Sequence, residues 1–301
     1  MLSRKQKYVV LKFFSMFSVI RGFNISIVVL AQYFTSIYIL APDTPLSKII
    51  FDVKLFFIVV ASAAAIAGGY IINNFYDSEK DLINRPQKSM LDRLISQKTK
   101  LYFYVFLVLI VIISASQVSM RAFIFFSIYV FGIWLYSHKL KKLSIVGNIT
   151  SAILTITPIF AVFLYYKNFQ TVIVFHAIFL FLVISMRELT KDLENIKGDL
   201  TLGYKTVPIV YGEKVARIML TALSFFTLLP TYILITKFDI GKMNYFFYLS
   251  IFLLIIFILL LQKAVSKLQY LVLHNILKVI LVAGVFSILL IDINLLLNRI
   301  L

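Results

Sequence analysis

The sequence predicts an all-α integral membrane protein, and two observations support this fold class. Of its 301 residues, 61% are hydrophobic and the mean hydropathy is +0.96, whereas a soluble domain is only about half apolar. Apolar runs of about 20 residues, the length that crosses the hydrocarbon core of a bilayer, recur along the whole chain. We therefore expect residues 1–301 to form a single membrane domain.

Nine stretches are long and apolar enough to span a bilayer. Polar loops separate them, and the loops 77–100 and 187–215 are long. We detect no internal repeat and no additional soluble domain. The predicted spans are residues 22–41, 55–76, 101–118, 120–137, 145–166, 170–186, 216–236, 243–262 and 276–297.

The net charge of +17 would suggest a nucleic-acid partner in a soluble protein. In a membrane protein, a positive net charge instead indicates basic loops on the cytoplasmic side and contact with anionic lipid headgroups. We therefore expect membrane lipids, and no nucleic acid, as partners. Most Lys and Arg residues lie in the N-terminal segment and in the loops after the second, fourth, sixth and eighth predicted spans. The positive-inside rule therefore predicts a cytoplasmic N-terminus and two cytoplasmic long loops.

Composition excludes several kinds of site. The chain has no Cys, so disulfides, zinc–thiolate sites and catalytic thiols are excluded. Its three His residues are far apart in sequence, which argues against a His-rich metal site. No small-residue cleavage site follows the basic N-terminal segment, so we expect no signal peptide.

The acidic residues are few, and most of the 13 fall in the two long predicted loops. Asn73 near the end of the second predicted span and Asp77 and Asp81 in the first loop are spaced i, i+4, i+8, so a helix continuing from that span would carry all three on one face. Carboxylate and amide oxygens in such a row suit Mg²⁺ with its waters and a substrate phosphate.

A second acidic row lies in the second long loop. Asp192, Asn195 and Asp199 are spaced i, i+3, i+7, again along one helical face, and Glu188 would extend it by one turn. Solvated loop charges are the simpler explanation of one such row, but two rows at corresponding loops favour a site. Carboxylates this close repel each other unless cations lie between them, so the pair of rows predicts two or more Mg²⁺ ions holding a diphosphate.

At these residues the chain resembles the UbiA superfamily of membrane prenyltransferases. The family pattern Asn-x-x-x-Asp-x-x-x-Asp is matched at residues 73–81. The second pattern, Lys-Asp-x-x-Asp-x-x-Gly-Asp, is matched at residues 191–199 except that Asn195 replaces an Asp. The segment 136–141, the pair 147–148 and the polar residues Asn24 and Gln32 extend the resemblance.

The resemblance implies nine helices bundled around a lipid-open cavity that two cytoplasmic loops cap. It implies that Mg²⁺ on Asp77, Asp81, Asp192 and Asp199 holds the diphosphate of a prenyl donor. Ionisation of the donor would give an allylic cation that a nucleophilic, hydrophobic acceptor attacks. An amide at Asn195 carries no charge and would hold its Mg²⁺ less tightly than a carboxylate.

Further residue types suit the same chemistry. A diphosphate needs cations besides the metal, and aromatic faces stabilise a carbocation without offering it a nucleophile. Polar residues inside apolar spans face the interior of a bundle, where they bind substrate or join helices. The candidate diphosphate-binding cations are Arg85, Lys88, Lys141 and Lys191, and the candidate pocket residues are Asn24, Tyr70, Tyr76, Tyr136 and Asn148.

Residues 82–88 resemble the Ile-Asn-x-Pro-x-Arg segment of the branch that holds geranylgeranylglycerol-phosphate geranylgeranyltransferases and chlorophyll synthases. That branch continues Pro-Ile-Pro-Ser-Gly, whereas residues 89–93 read Ser-Met-Leu-Asp-Arg. The resemblance implies geranylgeranyl transfer to a lipid precursor such as a glycerol-phosphate ether. An aromatic quinone precursor or a tetrapyrrole is the alternative acceptor.

A membrane transporter and a CDP-alcohol phosphotransferase are the alternative classes of protein. A transporter would fit nine spans, but transporters have internal repeats and polar sites at the bilayer midplane, whereas the acidic rows here follow the spans. A CDP-alcohol phosphotransferase would need an Asp-Gly-x-x-Ala-Arg signature, which the chain lacks.

Overall fold

Helices account for the whole secondary structure of the part that the computed structural model describes, residues 4–292. Short 3-10 turns at residues 140–142 and 241–243 join successive helices, and a third at residues 288–290 follows the last one. A π-helical turn, Ser36–Leu40, extends α2. The helices are α1 Arg4–Val19, α2 Gly22–Thr35, α3 Leu46–Ile50, α4 Val53–Tyr76, α5 Ser78–Asn84, α6 Pro86–Asp92, α7 Gln97–Val118, α8 Met120–His138, α9 Ser144–Tyr166, α10 Thr171–Thr201, α11 Val207–Lys237, α12 Asn244–Lys263 and α13 Lys267–Ser287.

Nine helices within residues 4–292 are long and apolar enough to cross a membrane, which confirms the predicted fold class. They are α2 with its π-helical extension, α4 and the helices from α7 to α13. The first five begin and end within a few residues of the predicted bounds. The sidedness of the spans stays a prediction from the charge pattern.

The prediction of a long loop after residue 186 is wrong, because α10 continues to Thr201. Hydropathy detects where a helix stops being apolar, not where it stops being helical. Residues 187–201 contain no Pro and several good helix formers, so the helix persists after the apolar run ends. The second acidic row therefore lies on a helix rather than in a loop.

Two other spans begin earlier than predicted. α11 begins at Val207, with Pro208 in its first turn, and it is interrupted at Gly212, where φ is 84° and ψ is 158°. α13 begins at Lys267, where Ser266 and Gln269 form a reciprocal capping box. Residues 293–297 of the predicted ninth span lie outside the described residues.

The first predicted loop also contains helices. α5 and α6 occupy most of residues 78–92, and the backbone N–H groups of Asp77, Asp81 and Arg85 each donate to the carbonyl four residues earlier, at 2.8–2.9 Å. The helical path of α4 therefore continues past its last apolar residue into α5. No helix was predicted before the first span, where α1 lies.

The chain divides into two units, formed by residues 4–29 with 53–140 and by residues 30–52 with 141–292. In the first unit, α4 packs against α7 and α8, and α1 packs against α6. Small residues between 61 and 68 are buried along α4 and allow a close approach of neighbouring helices, as in other membrane bundles. In the second unit, α10 packs against α9, α11 and α13. The prediction of one domain over residues 1–301 stays a prediction.

Candidate active site

The first acidic row lies in the first unit, where α4 passes into α5. Asn73 is in the last turn of α4, Asp77 joins the two helices and Asp81 is in α5. Asp77 is 7% exposed, whereas Asn73 and Asp81 are half-buried. The backbone N–H groups of Asp77 and Asp81 each donate to the carbonyl four residues earlier, and Asp77 between the two helices has φ −94° and ψ 5°. The three residues therefore follow one another at intervals of about one turn, and their common face stays a prediction.

The candidate cations Arg85 and Lys88 follow directly. Arg85 lies between α5 and α6, and Lys88 is in α6; both are half-buried. Burial lowers the pKa of Lys88, and the nearby Arg21 guanidinium lowers it further, while Asp92 and Asp81 act in the opposite direction. Lys88 therefore lies within electrostatic reach of both the acidic row and Asp92.

Two of the candidate pocket residues contact each other. Nδ2 of Asn24 donates a hydrogen bond to the Tyr70 hydroxyl oxygen at 3.1 Å, which joins α2 to α4. The Arg21 guanidinium lies 4.9 Å from the centre of the Tyr70 ring, within cation–π distance. Arg21 was not predicted as a site residue, because a basic residue before the first span is ordinary positive-inside charge.

The other two aromatic candidates of this unit, Tyr76 and Tyr136, lie in the last turns of α4 and α8. The Tyr76 ring is 5.2 Å from the ring of His138, and His138 stacks on Trp134 at 5.3 Å. Tyr136 is half-buried on α8. Tyr76 is thus held in an aromatic cluster beside the first acidic row.

The second acidic row lies on α10, in the second unit. Asp192, Asn195 and Asp199 follow one face of this uninterrupted helix, as their spacing predicted. Asn195 is 5% exposed and Asp199 is fully buried, whereas Asp192 is half-buried. The Asn195 amide nitrogen donates to the carbonyl of Lys191 at 2.8 Å, so a metal ion would take its Oδ1 atom.

Charged neighbours surround this row. Nζ of Lys191 forms an ion pair with Oε2 of the buried Glu188 at 3.1 Å. Lys191 is therefore already paired with a carboxylate one turn away when a diphosphate approaches it. On the neighbouring helix α13, His274 lies beside Glu194 and accepts a hydrogen bond from Nε of Arg187 at 3.4 Å.

The remaining two candidates are at the start of α9 or just before it. Lys141 is 9% exposed in the 3-10 turn that precedes α9. The carbonyl of Lys142 accepts a hydrogen bond from the backbone N–H of Lys205 at 2.9 Å, which ties this turn to the segment between α10 and α11. Asn148 is half-buried in the second turn of α9.

The side-chain oxygen atoms of the two acidic rows are of the kind that Mg²⁺ binds. Each row supplies two carboxylates and one amide oxygen, and Mg²⁺ prefers such oxygens while retaining several waters. Among residues 4–292, no three Asp, Glu, His or Cys side chains converge to hold a metal ion.

Residues 29–290 match the model of the UbiA prenyltransferase family. The chain belongs to the UbiA prenyltransferase family. The resemblance noted from the two acidic rows is thereby confirmed. The match covers all nine candidate spans except the first turns of α2.

Relatives and solved structures agree with this assignment. The chain is 38% identical to digeranylgeranylglyceryl phosphate synthase of Pyrococcus furiosus over 168 residues, which make up 56% of this chain and 60% of that protein. The matched region thus spans less than two thirds of that curated relative.

Two solved structures share the fold. A structure of digeranylgeranylglyceryl phosphate synthase has a TM-score of 0.68 and 22% identity, covering 92% of this chain and 97% of that one. A UbiA homologue of Archaeoglobus fulgidus, solved with GPP and Mg²⁺, has a TM-score of 0.65 and 14% identity, covering 91% and 99% of the two chains. At these identities the likeness establishes the fold.

Proposed function

We propose that this protein transfers a geranylgeranyl or similar prenyl group from a prenyl diphosphate to a lipid-precursor acceptor such as a glycerol-phosphate ether, with Mg²⁺ as cofactor. The observation that carries the proposal is the pair of acidic helix faces, Asn73–Asp77–Asp81 and Asp192–Asn195–Asp199. In a chain with only 13 acidic residues, each face combines carboxylates with an Asn at helical spacing.

The proposed reaction replaces the bond between C1 of the prenyl group and the diphosphate oxygen by a bond from C1 to the acceptor oxygen. The diphosphate leaves with the bonding electron pair, and the acceptor hydroxyl releases a proton. Bound Mg²⁺ would neutralise the negative charge that develops on the leaving diphosphate.

The residues of the chain have distinct proposed roles. Asp77, Asp81, Asp192 and Asp199, with Asn73 and Asn195, bind the metal ions. Arg85, Lys88, Lys141 and Lys191 bind the diphosphate oxygens. Asn24, Tyr70, Tyr76, Tyr136 and Asn148 line the prenyl pocket, where aromatic faces stabilise positive charge on the prenyl group.

The names of the relatives support the proposed acceptor. The Pyrococcus furiosus protein is named digeranylgeranylglyceryl phosphate synthase, and the Archaeoglobus fulgidus homologue was solved with GPP and Mg²⁺. These names support a prenyl diphosphate donor and a glycerol-phosphate acceptor. We further propose that the acidic faces lie on the cytoplasmic side, in accordance with the positive-inside rule.

The test is diphosphate release by the purified protein from geranylgeranyl diphosphate, with Mg²⁺ and a panel of acceptors. We expect release with a geranylgeranylglycerol-phosphate acceptor, loss of release with EDTA and recovery on adding Mg²⁺. Release with only an aromatic or tetrapyrrole acceptor would overturn the acceptor assignment. Well-folded protein that releases no diphosphate with any of these acceptors would overturn the proposal.

A further inference from the structure

A buried polar network lies beside the first acidic row, in the first unit. Lys100 on α7 is 1% exposed, and its Nζ donates to Oδ1 of Asn74 at 2.8 Å. Nδ2 of Asn74 donates in turn to Oδ2 of Asp92 at 3.1 Å, and Asp92 is 3% exposed. A single amide thus bridges a buried cation and a buried carboxylate on two different helices.

The network also binds α1. Oγ of Ser15 donates to the carbonyl of Leu91 at 2.8 Å, and Oγ of Ser18 lies 3.5 Å from Oδ1 of Asp92. Four elements therefore meet at the C-terminal end of α6: α1, the last turn of α4, α6 itself and the first turn of α7. Asn74 is adjacent to Asn73 of the acidic row, so the network begins one residue away from a proposed metal ligand.

Burying the charged groups of this network does not by itself favour the stability of the folded protein. Burial raises the pKa of Asp92, against the opposing effects of Lys88, Lys100 and the Asn74 hydrogen bond. Its ionised form is therefore disfavoured by desolvation even with these partners present. Buried ion pairs often add little to stability compared with apolar packing, and the best-attested benefit of such groups is a specific arrangement.

The arrangement that this network specifies is that of α6. After Pro86, residues 87–100 contain neither Pro nor Gly, so no backbone restriction of that kind limits the segment. α6 is a seven-residue helix, too short to be stable by itself. The position of α6 must therefore come from side-chain contacts. The buried contacts of Asp92 are at the C-terminal end of α6, and Arg85 precedes its N-terminal end.

We propose that Asn74, Asp92 and Lys100 form a clamp that positions α6, so that Arg85 and Lys88 are presented to the diphosphate beside the first acidic row. The three are positioning residues: they act through Arg85 and Lys88. This inference rests on the proposed function for its substrate, and on the geometry of the first unit for the clamp itself.

The kinetic test uses Asp92→Asn and Lys100→Met, each of which removes one charge of the clamp with little change of shape. We expect each to raise KM for the prenyl diphosphate about tenfold, with kcat changed less than about threefold, because ground-state binding of the diphosphate is weakened. Lys98→Met, an exposed position on the same turn of α7, is the matched control and should retain the KM of the unmodified protein. The double variant should be no worse than the poorer single variant, because both changes break one network.

A second readout needs no substrate. Lys88 is half-buried within α6, so trypsin cleavage after Lys88, identified by the masses of the fragments, reports release of the segment. We expect faster cleavage in Asp92→Asn and Lys100→Met than in Lys98→Met. Ser15→Ala removes only the bond to the Leu91 carbonyl and should give a smaller increase in both cleavage rate and KM, about threefold for KM; it remains informative if the charge variants fail to fold.

The possible failures are distinguishable. If the unmodified protein shows no turnover with any donor, the proposed function fails, while the cleavage comparison still tests the clamp. If turnover is present and the clamp variants match Lys98→Met in KM and cleavage, the clamp is refuted. A fall in kcat with unchanged KM would also refute it, since positioning of diphosphate-binding cations predicts the reverse.

Discussion

Oε2 of Glu194 on α10 lies 3.6 Å from Nδ1 of His274 on α13, a distance for electrostatic attraction rather than a hydrogen bond. The Glu194 side chain is only 1% exposed, so its carboxylate has little contact with solvent. Nε of Arg187 donates to Nε2 of His274, which assigns the imidazole proton of the neutral ring to Nδ1, facing Glu194. The contact links the helix of the second acidic row to α13.

We expect His274→Ala to lower the free energy of unfolding by about 1–3 kcal/mol, because it removes an imidazole that lies against a buried carboxylate and accepts a hydrogen bond from Arg187. Thermal unfolding in detergent, without substrate or metal, measures this loss. His274→Gln should lose less, since its amide both donates and accepts. Equal losses in the two variants would contradict this account, because the donor and acceptor atoms of Gln would then have recovered nothing.

The two acidic rows are tested by Asp77→Ala and Asp192→Ala, one in each unit. Each should reduce Mg²⁺-dependent diphosphate release by about 100-fold or more, because the variant lacks a ligand for the ion that stabilises the leaving group. Asp43→Ala, at an exposed position outside both rows, should retain activity. If either variant is folded and inserted in the membrane and still has substantial activity, the row that it belongs to does not bind the metal ion.

Asn195→Asp tests the departure from the family pattern. The added carboxylate should lower the Mg²⁺ concentration for half-maximal activity several-fold, because a charged oxygen binds the ion more strongly than an amide oxygen. A Mg²⁺ titration at saturating prenyl diphosphate measures this change. An unchanged Mg²⁺ dependence would mean that residue 195 is not a ligand.

Gly212 interrupts α11 with φ 84° and ψ 158°, a backbone region that is essentially restricted to glycine. A Cβ at this position would meet no atom within 4 Å, so the cost of substitution is conformational. We expect Gly212→Ala to lower the free energy of unfolding by about 1–3 kcal/mol.

The control for this substitution is Gly203→Asn. Gly203 has a φ of 67° and an equally open surrounding, and Asn tolerates the left-handed region better than other residues. Thermal unfolding of the two variants should therefore show a smaller loss for Gly203→Asn. A Gly212→Ala variant as stable as the unmodified protein would indicate that α11 becomes continuous there.

The spans were predictable because a single physical requirement determines them. A segment in lipid must be long, apolar and internally hydrogen-bonded, and α4, α7, α8 and α9 begin and end close to the predicted residues. The same requirement does not define ends that project beyond the hydrocarbon. α10 therefore continues to Thr201 and α13 begins at Lys267, where helix propensity and capping decide instead of hydropathy.

The acidic rows were predictable because helical spacing is a local property. Asn73, Asp77 and Asp81 lie along one helical path, as do Asp192, Asn195 and Asp199. Their roles as metal ligands remain proposals. His274 and Arg187 could not be connected with Glu194 in advance, because 80 residues separate Glu194 from His274 and no spacing rule relates them.

The membrane fold class, the family resemblance and the helical spacing of the two rows of carboxylate and amide side chains could therefore be inferred from the amino-acid sequence. Each of these depends on composition or on residues within about two helical turns of one another. The packing of the helices determines which distant groups meet: Lys100 contacts Asn74, Asn74 contacts Asp92, and His274 lies beside Glu194. Such contacts depend on how the helices pack, because a buried charge requires a partner but does not specify where along the chain that partner lies.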